Sequence, residues 1–202
     1  MPAQTQRERL IELCESSPVL KAGAIVSHGI DRKTIQRMVQ AGEIQRIGRG
    51  LYSRSDYEVE SYHSYIEAQL LVETGVVCLL SALAFHEIGT QTPRHVWLAV
   101  SRPSRIPKTE GLPVKIVTFS EPAFSAGIEK HQIEGVQVNI YSPAKTVADC
   151  FKYRNRLGTD VAIEALREAV REKNVSPDEL LRFAEICRVR SVMVPYIESV
   201  VQ

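Results

Sequence analysis

Apolar residues in the first fifty positions recur at helical spacing and then switch to a strand-like run, with glycines marking each change. Leu10, Ile11 and Cys14 share one face of a helix predicted over 4–15, and a second, short helix is predicted over 21–27. Gly29 falls in the turn after Ser27 and His28, where freedom to take positive φ is useful. Asp31 then stands as an N-cap, its carboxylate accepting from the free amides of the next turn. Ile35, Met38 and Val39 follow at i, i+3 and i+4, a buried stripe that Gly42 closes as the C′ residue. Residues 44–47 read as a strand, Gly48-Arg49-Gly50 as a turn with an arginine at its tip, and Leu51-Tyr52 as the start of the return strand. This order predicts a winged helix-turn-helix, a unit whose usual work is holding double-stranded DNA.

Opposite the apolar stripe lie Arg32, Lys33, Gln36, Arg37 and Gln40, with Thr34 counted among the DNA-contacting set. The long members of that group have the reach and the donors for phosphates and for guanine or adenine edges in a major groove. Arg46 and Arg49 on the wing stand where a backbone or minor groove would pass. The competing reading is a solvated basic helix followed by an ordinary hairpin.

Beyond the polar stretch at 53–58 the pattern changes. A helix is predicted over 60–73, a buried run over 75–80, and a helix over 81–88 capped by Ser81. Residues 95–101, 114–119 and 136–141 alternate as strands, and 143–153, 160–172, 177–189 and 192–200 read as helices. The expected fold class is therefore α+β. A winged helix-turn-helix over 1–54 precedes a mixed domain over 55–202, α/β to about residue 142 and helical over 143–202.

Charge sharpens the division. Residues 1–54 carry nine Lys/Arg against five Asp/Glu, a balance of +4, and the remainder carries sixteen against nineteen, or −3. A chain of net charge +1 thus has a basic head on an acidic body, which suits a site-specific binder better than a protein that coats nucleic acid. Its 202 residues allow a small module plus one fuller domain, and 44% hydrophobic with 24% charged residues is ordinary globular composition. No apolar run approaches the ~20 residues a membrane span needs, and the polar start is no signal peptide, so a cytoplasmic location is expected.

Catalytic chemistry finds little foothold. His86-Glu87 begins like H-E-x-x-H, but Thr90 stands where the second ligand belongs. Gly48-Arg49-Gly50 lacks the strand-turn-helix setting of a dinucleotide loop. Neither G-x-S-x-G nor G-x-x-x-x-G-K-[ST] occurs. Cys14, Cys78, Cys150 and Cys187 are far apart in apolar contexts and read as buried thiols. No enzyme activity, cofactor or metal is expected. A second candidate basic surface combines Arg102, Arg105 and Lys108 of a proline-rich loop with Lys145 on the helix after 142. A solvated helix face is the plainer reading of Lys145, and Asp149 on the same helix is expected to be structural.

The stretch GIDRKTIQRMVQAGEIQRIGRGLYS resembles the N-terminal domain of AbiEi-type antitoxin transcriptional regulators. CLLSALAFHEIGTQTPRHVWLAVSR, EGVQVNIYSPAKTVADCFKYRNRLG and EALREAVREKNVSPDELLRFAEICRV resemble the body of the same family. The resemblance implies that the head binds inverted repeats upstream of its own operon and represses it. It implies too that the body neutralises a nucleotidyltransferase-like toxin. On that footing Arg32, Lys33, Gln36 and Arg37 would read the operator, supported by Arg46 and Arg49 of the wing. Without a long coiled coil, a monomer that pairs on DNA is expected. The alternative is a winged-helix transcription factor whose C-terminal domain senses a small molecule or another protein, without antitoxin activity.

Overall fold

The computed structural model describes residues 4–58, 61–102 and 113–201. The chain divides into two compact units, one formed by 1–70 with 132–137 and the other by 71–131 with 138–202. The polar stretch at 53–58 lies within the first.

That first unit begins with α1 (Gln6–Ser16), whose Thr5 and Glu8 form a reciprocal capping box. Then come β1 (Leu20–Lys21), α2 (Ala22–Ser27) and α3 (Arg32–Gln40), followed by the hairpin of β2 (Ile44–Gly48) and β3 (Leu51–Arg54), and α4 (His63–Leu71). β1 pairs antiparallel with β3 and β3 with β2, giving the small sheet order β1-β3-β2. Leu10 and Cys14 of α1, Ile25 of α2, Ile35 and Met38 of α3 and Ile44 of β2 meet in one buried cluster. The apolar spacing seen in the sequence is thus the spacing that builds this core, and Gly29 and Gly42 take the positive φ their turns require, +76° and +70°. At the N-terminus of α3 the Asp31 carboxylate accepts from the Thr34 amide at 2.6 Å. That bond to a free helix amide is the main reason its carboxyl sits below the ordinary aspartate value.

Residues 132–137 bring Glu134 to the same unit. Its buried carboxylate accepts from the Tyr57 hydroxyl and lies 2.8 Å from Nδ1 of the buried His63. Neither of these contacts has a sequence signature.

In the second unit β4 (Val76–Val77) leads into α5 (Leu79–Phe85), then β5 (Val96–Ser101), β6 (Val114–Phe119), α6 (Glu121–Ser125), β7 (Ile128–Ile133) and β8 (Val136–Tyr141). The sheet order is β6-β5-β4-β8-β7. β5 and β6 run parallel, as do β4 and β8, whereas β4 and β5 are antiparallel. The helices α7 (Pro143–Lys152), α8 (Arg154–Leu157), α9 (Thr159–Arg171), α10 (Pro177–Ile186) and α11 (Arg190–Val201) complete the chain. The architecture is α+β with a helical C-terminal part, as the sequence pattern predicts.

Two local expectations fail. Ser81 does not cap a helix: α5 starts two residues earlier, and the Ser81 hydroxyl sits inside it. There it accepts from the Trp97 amide at 2.9 Å and lies 3.3 Å from the His95 carbonyl. Short β7 and α6 also appear where no element is predicted. IEKHQI alternates too weakly in polarity to register as a strand, and α6 is a single turn started by Pro122.

α7 is the centre of the second unit's core. Ser142 caps it through its hydroxyl and Pro143 occupies its first turn. Every residue from Ala144 to Cys150, with Phe151, is buried. A helix covered on all sides has no solvated face. Lys145 is accordingly fully buried, and its placement on a basic surface is corrected: its ammonium donates to Asp149 Oδ2 at 2.6 Å. The Tyr141 ring centroid lies 4.0 Å from that ammonium and the Phe119 centroid 4.8 Å, so two π faces add to the pairing. Asp149 Oδ1 accepts from the Cys187 thiol at 3.3 Å. Burial pushes the Asp149 carboxyl up, and Lys145 pulls it back down. All four cysteines are free and buried.

Lys145→Ala should lower the free energy of unfolding by about 3–5 kcal/mol, because it strands a buried carboxylate. Lys145→Met combined with Asp149→Leu should recover most of that loss in urea denaturation; equal losses in single and double variants would contradict the role given to the pair. Asp31 has a depressed folded-state pKa, so its contribution is present above the unfolded value and fades as pH falls through the lower folded value. Asp31→Ala should therefore melt below the parent at neutral pH, with the gap closing in acid beneath the ordinary aspartate value of about 3.9.

Candidate nucleic-acid interface

The candidate recognition surface is the outer side of α3. Ile35 and Met38 point into the core, and the same geometry leaves Arg32, Lys33, Gln36, Arg37 and Gln40 exposed along the opposite face. Thr34 departs from its expected place. It is 6% exposed, its amide is held by Asp31, and its hydroxyl donates to Gln6 Oε1 at 3.1 Å. Standing next to Ile35 at the edge of the apolar stripe, Thr34 faces α1 and is not a groove-reading side chain.

Buried Thr34 nonetheless organises the surface. Its hydroxyl oxygen accepts from Arg37 Nη2 at 3.1 Å, one turn further along α3. Gln6 Oε1 also accepts from the Asp31 amide at 2.9 Å. One side-chain carbonyl from α1 therefore ties the first turn of α3 in place, and through Thr34 it sets the direction of Arg37. Gln6 is absent from the sequence-derived site, and no local spacing marks it, because its partners lie 25 and 28 residues away.

At the far end of α3, Ala41 caps and Gly42 turns the chain into β2. The ribbon of β2 and β3 carries a register shift between Arg46 and Gly48. Gly50 at the tip has φ +72°, and its carbonyl accepts from the Ala22 amide at 2.8 Å, which anchors the wing to the start of α2. Arg46 and Arg49 are both exposed. Arg46 Nε donates to the Gly48 carbonyl at 3.0 Å, so its guanidinium lies back along the wing. A Cβ on Gly48 would fall 1.9 Å from Glu67 Oε1, which makes this a position where only glycine fits as the neighbours stand.

Of the second candidate surface, Arg102 is exposed at the end of β5, Arg105 and Lys108 lie outside the described residues, and Lys145 is buried as shown above. Among the described residues no group of three or more His, Cys, Asp or Glu is arranged to hold a metal ion. His86 ends α5, and its Nε2 lies 2.7 Å from the Tyr141 carbonyl; burial holds its pKa below the ordinary histidine value. No helix of the described residues is long and apolar enough to cross a membrane.

A three-stranded sheet wrapped by α1 to α3, with a basic outer helix and an arginine-tipped ribbon, is a winged helix-turn-helix in geometry as well as in order. The chain's fold is similar to the crystal structure of the RV2827C protein from Mycobacterium tuberculosis, with a TM-score of 0.63 at 11% identity, covering 96% of this chain and 78% of that one. No curated protein matches the chain in sequence. Residues 8–55 match the sequence profile of a family described as "Transcriptional regulator, AbiEi antitoxin". That segment contains nearly all of α1 and the whole of α2, α3 and the wing, so the likeness to that family lies in the winged helix-turn-helix part of the chain.

Proposed function

We propose that the protein is a sequence-specific repressor that binds inverted repeats upstream of its own operon through α3 and the wing, and that its second unit serves as antitoxin to a nucleotidyltransferase-like toxin. The observation that carries the DNA-binding part is the exposed row Arg32, Lys33, Gln36, Arg37 and Gln40, backed by an apolar stripe that fixes its orientation. Arg32, Lys33, Arg46 and Arg49 supply phosphate contacts, and Arg37 and Gln36 supply base contacts. Two copies meet on the two half-sites, each as a monomer in solution. The antitoxin part rests on the family match of the head and on the likeness of the body's motifs to that family. In this reading the protein regulates and neutralises without catalysing a reaction.

Fluorescence anisotropy on the DNA upstream of the gene, beside a scrambled duplex and across a salt series, tests the repressor reading. A strong preference for the native duplex, with log affinity falling linearly in log salt, is expected. Equal affinity for both duplexes would refute it. Co-expression with the product of a neighbouring nucleotidyltransferase-like gene tests the antitoxin reading, and unrelieved toxicity would refute that half alone.

Arg37→Ala should weaken operator binding by about 1–3 kcal/mol and relax the preference at one base pair, whereas Arg49→Ala should weaken binding to all sequences and reduce the salt slope by about 1. Gln6→Ala should weaken operator binding less than Arg37→Ala does, and its effect should shrink in an Arg37→Ala background, because part of it acts through the direction of that guanidinium. Additive losses would show that Gln6 acts by another route.

A further inference from the structure

The second unit holds a cavity of about 340 Å³ that the DNA-binding reading leaves unused. It opens at the carboxyl ends of the parallel pair β5 and β6, where Arg102 and Ser120 follow directly on the last strand residues. In open sheets of this kind the crevice beyond parallel strand ends is where ligands bind. The helices α7 and α10 supply the remaining walls through Lys152, Tyr153 and the segment 186–188.

Its chemistry is sharply divided. Arg102, Lys152 and Arg188 line it from three different elements, and all three are exposed. Arg102 is steered by a 3.4 Å contact from its Nε to Thr118 Oγ1 and by its own amide bonding to the Phe119 carbonyl at 3.0 Å. Arg188 occupies the position just past α10 with φ +58°, where its amide bonds to the Glu185 carbonyl and the next amide reaches back to Ala184. Glycine takes that left-handed turn at no steric penalty, and an arginine does not. Phe119 and Tyr153 form an aromatic wall, their ring centroids 5.7 Å apart and tilted. Among the residues lining the cavity, Asp149 is the one acid, and its charge is matched by Lys145 beneath it. The cavity is therefore cationic at its rim, aromatic along one side, and polar but electrically balanced at its floor.

We infer that this cavity is a binding site for a small phosphorylated molecule with a planar ring, of the nucleoside monophosphate class. Two arginines and a lysine converging from separate elements match a phosphate dianion better than a single carboxylate. The aromatic wall of Phe119 and Tyr153 matches the face of a base. The volume lies at the lower end of the range of small-molecule sites, as a mononucleotide requires. The inference stands on the second unit's own geometry and does not depend on operator binding.

Isothermal titration calorimetry of the full chain with AMP, GMP, CMP and UMP, beside ribose 5-phosphate, inorganic phosphate and adenosine, tests it. At least one nucleotide should bind saturably with Kd below about 1 mM, tighter than both ribose 5-phosphate and adenosine. Arg188→Ala and Lys152→Ala should each weaken that binding about tenfold or more, and Tyr153→Phe should preserve it where Tyr153→Ala does not. Circular dichroism melts of the Arg188→Ala and Lys152→Ala variants should match the parent, and Arg37→Ala on α3 should leave nucleotide affinity unchanged. Absence of saturable binding by all four nucleotides would overturn the inference. So would affinity indifferent to Arg188 and Lys152, or ribose 5-phosphate binding as tightly as every nucleotide.

Discussion

An ammonium group survives inside hydrocarbon only with a counter-charge in contact and its donors engaged, and Lys145 meets both conditions at once. Asp149, one turn along the same helix, supplies the charge, and the Tyr141 and Phe119 rings supply electron-rich faces. These partners come from α7, β8 and β6, so the full cluster assembles only when sheet and helix are correctly registered. Cys187 at the end of α10 adds a fourth element through the remaining carboxylate oxygen. The cluster's position also decides what lies above it, because a neutralised polar floor can underlie a cationic cavity without repelling an anion.

The head follows a different economy. Its recognition helix has only nine residues, too few to be stable alone, and depends on a carboxylate cap at one end and an apolar stripe against α1 and α2. The capping bond and the core fix the helix axis, and Gln6 fixes its first turn. For the proposed operator binding, rigid presentation of long side chains matters more than the number of charges, since a mobile arginine gains phosphate contact but loses base selection.

Much of the head was legible in the sequence because its punctuation is local. Gly29, Asp31 and Gly42 each act on the two or three residues beside them, and the apolar stripe between them repeats within one helix. Thr34 was misplaced for a reason of angle: it sits one step from Ile35, where a 100° turn decides between groove and core, and only its bond to Gln6 settles the side. Lys145 was misplaced for a reason of habit, since charged residues on helices are usually solvated. The warning was nearby, in the apolar residues that surround it along α7. The cavity in the second unit was not legible at all, because Arg102, Phe119, Tyr153 and Arg188 come from four separate segments whose meeting depends on the strand order.

Residues 132–137 sit in the middle of the segment that builds the second unit, yet they belong to the first, where Glu134 satisfies Tyr57 and His63. A single crossover near residue 60 or 70 would carry over only part of the head. A foreign head would arrive without its acid, and the native body would keep a glutamate selected for a histidine no longer present.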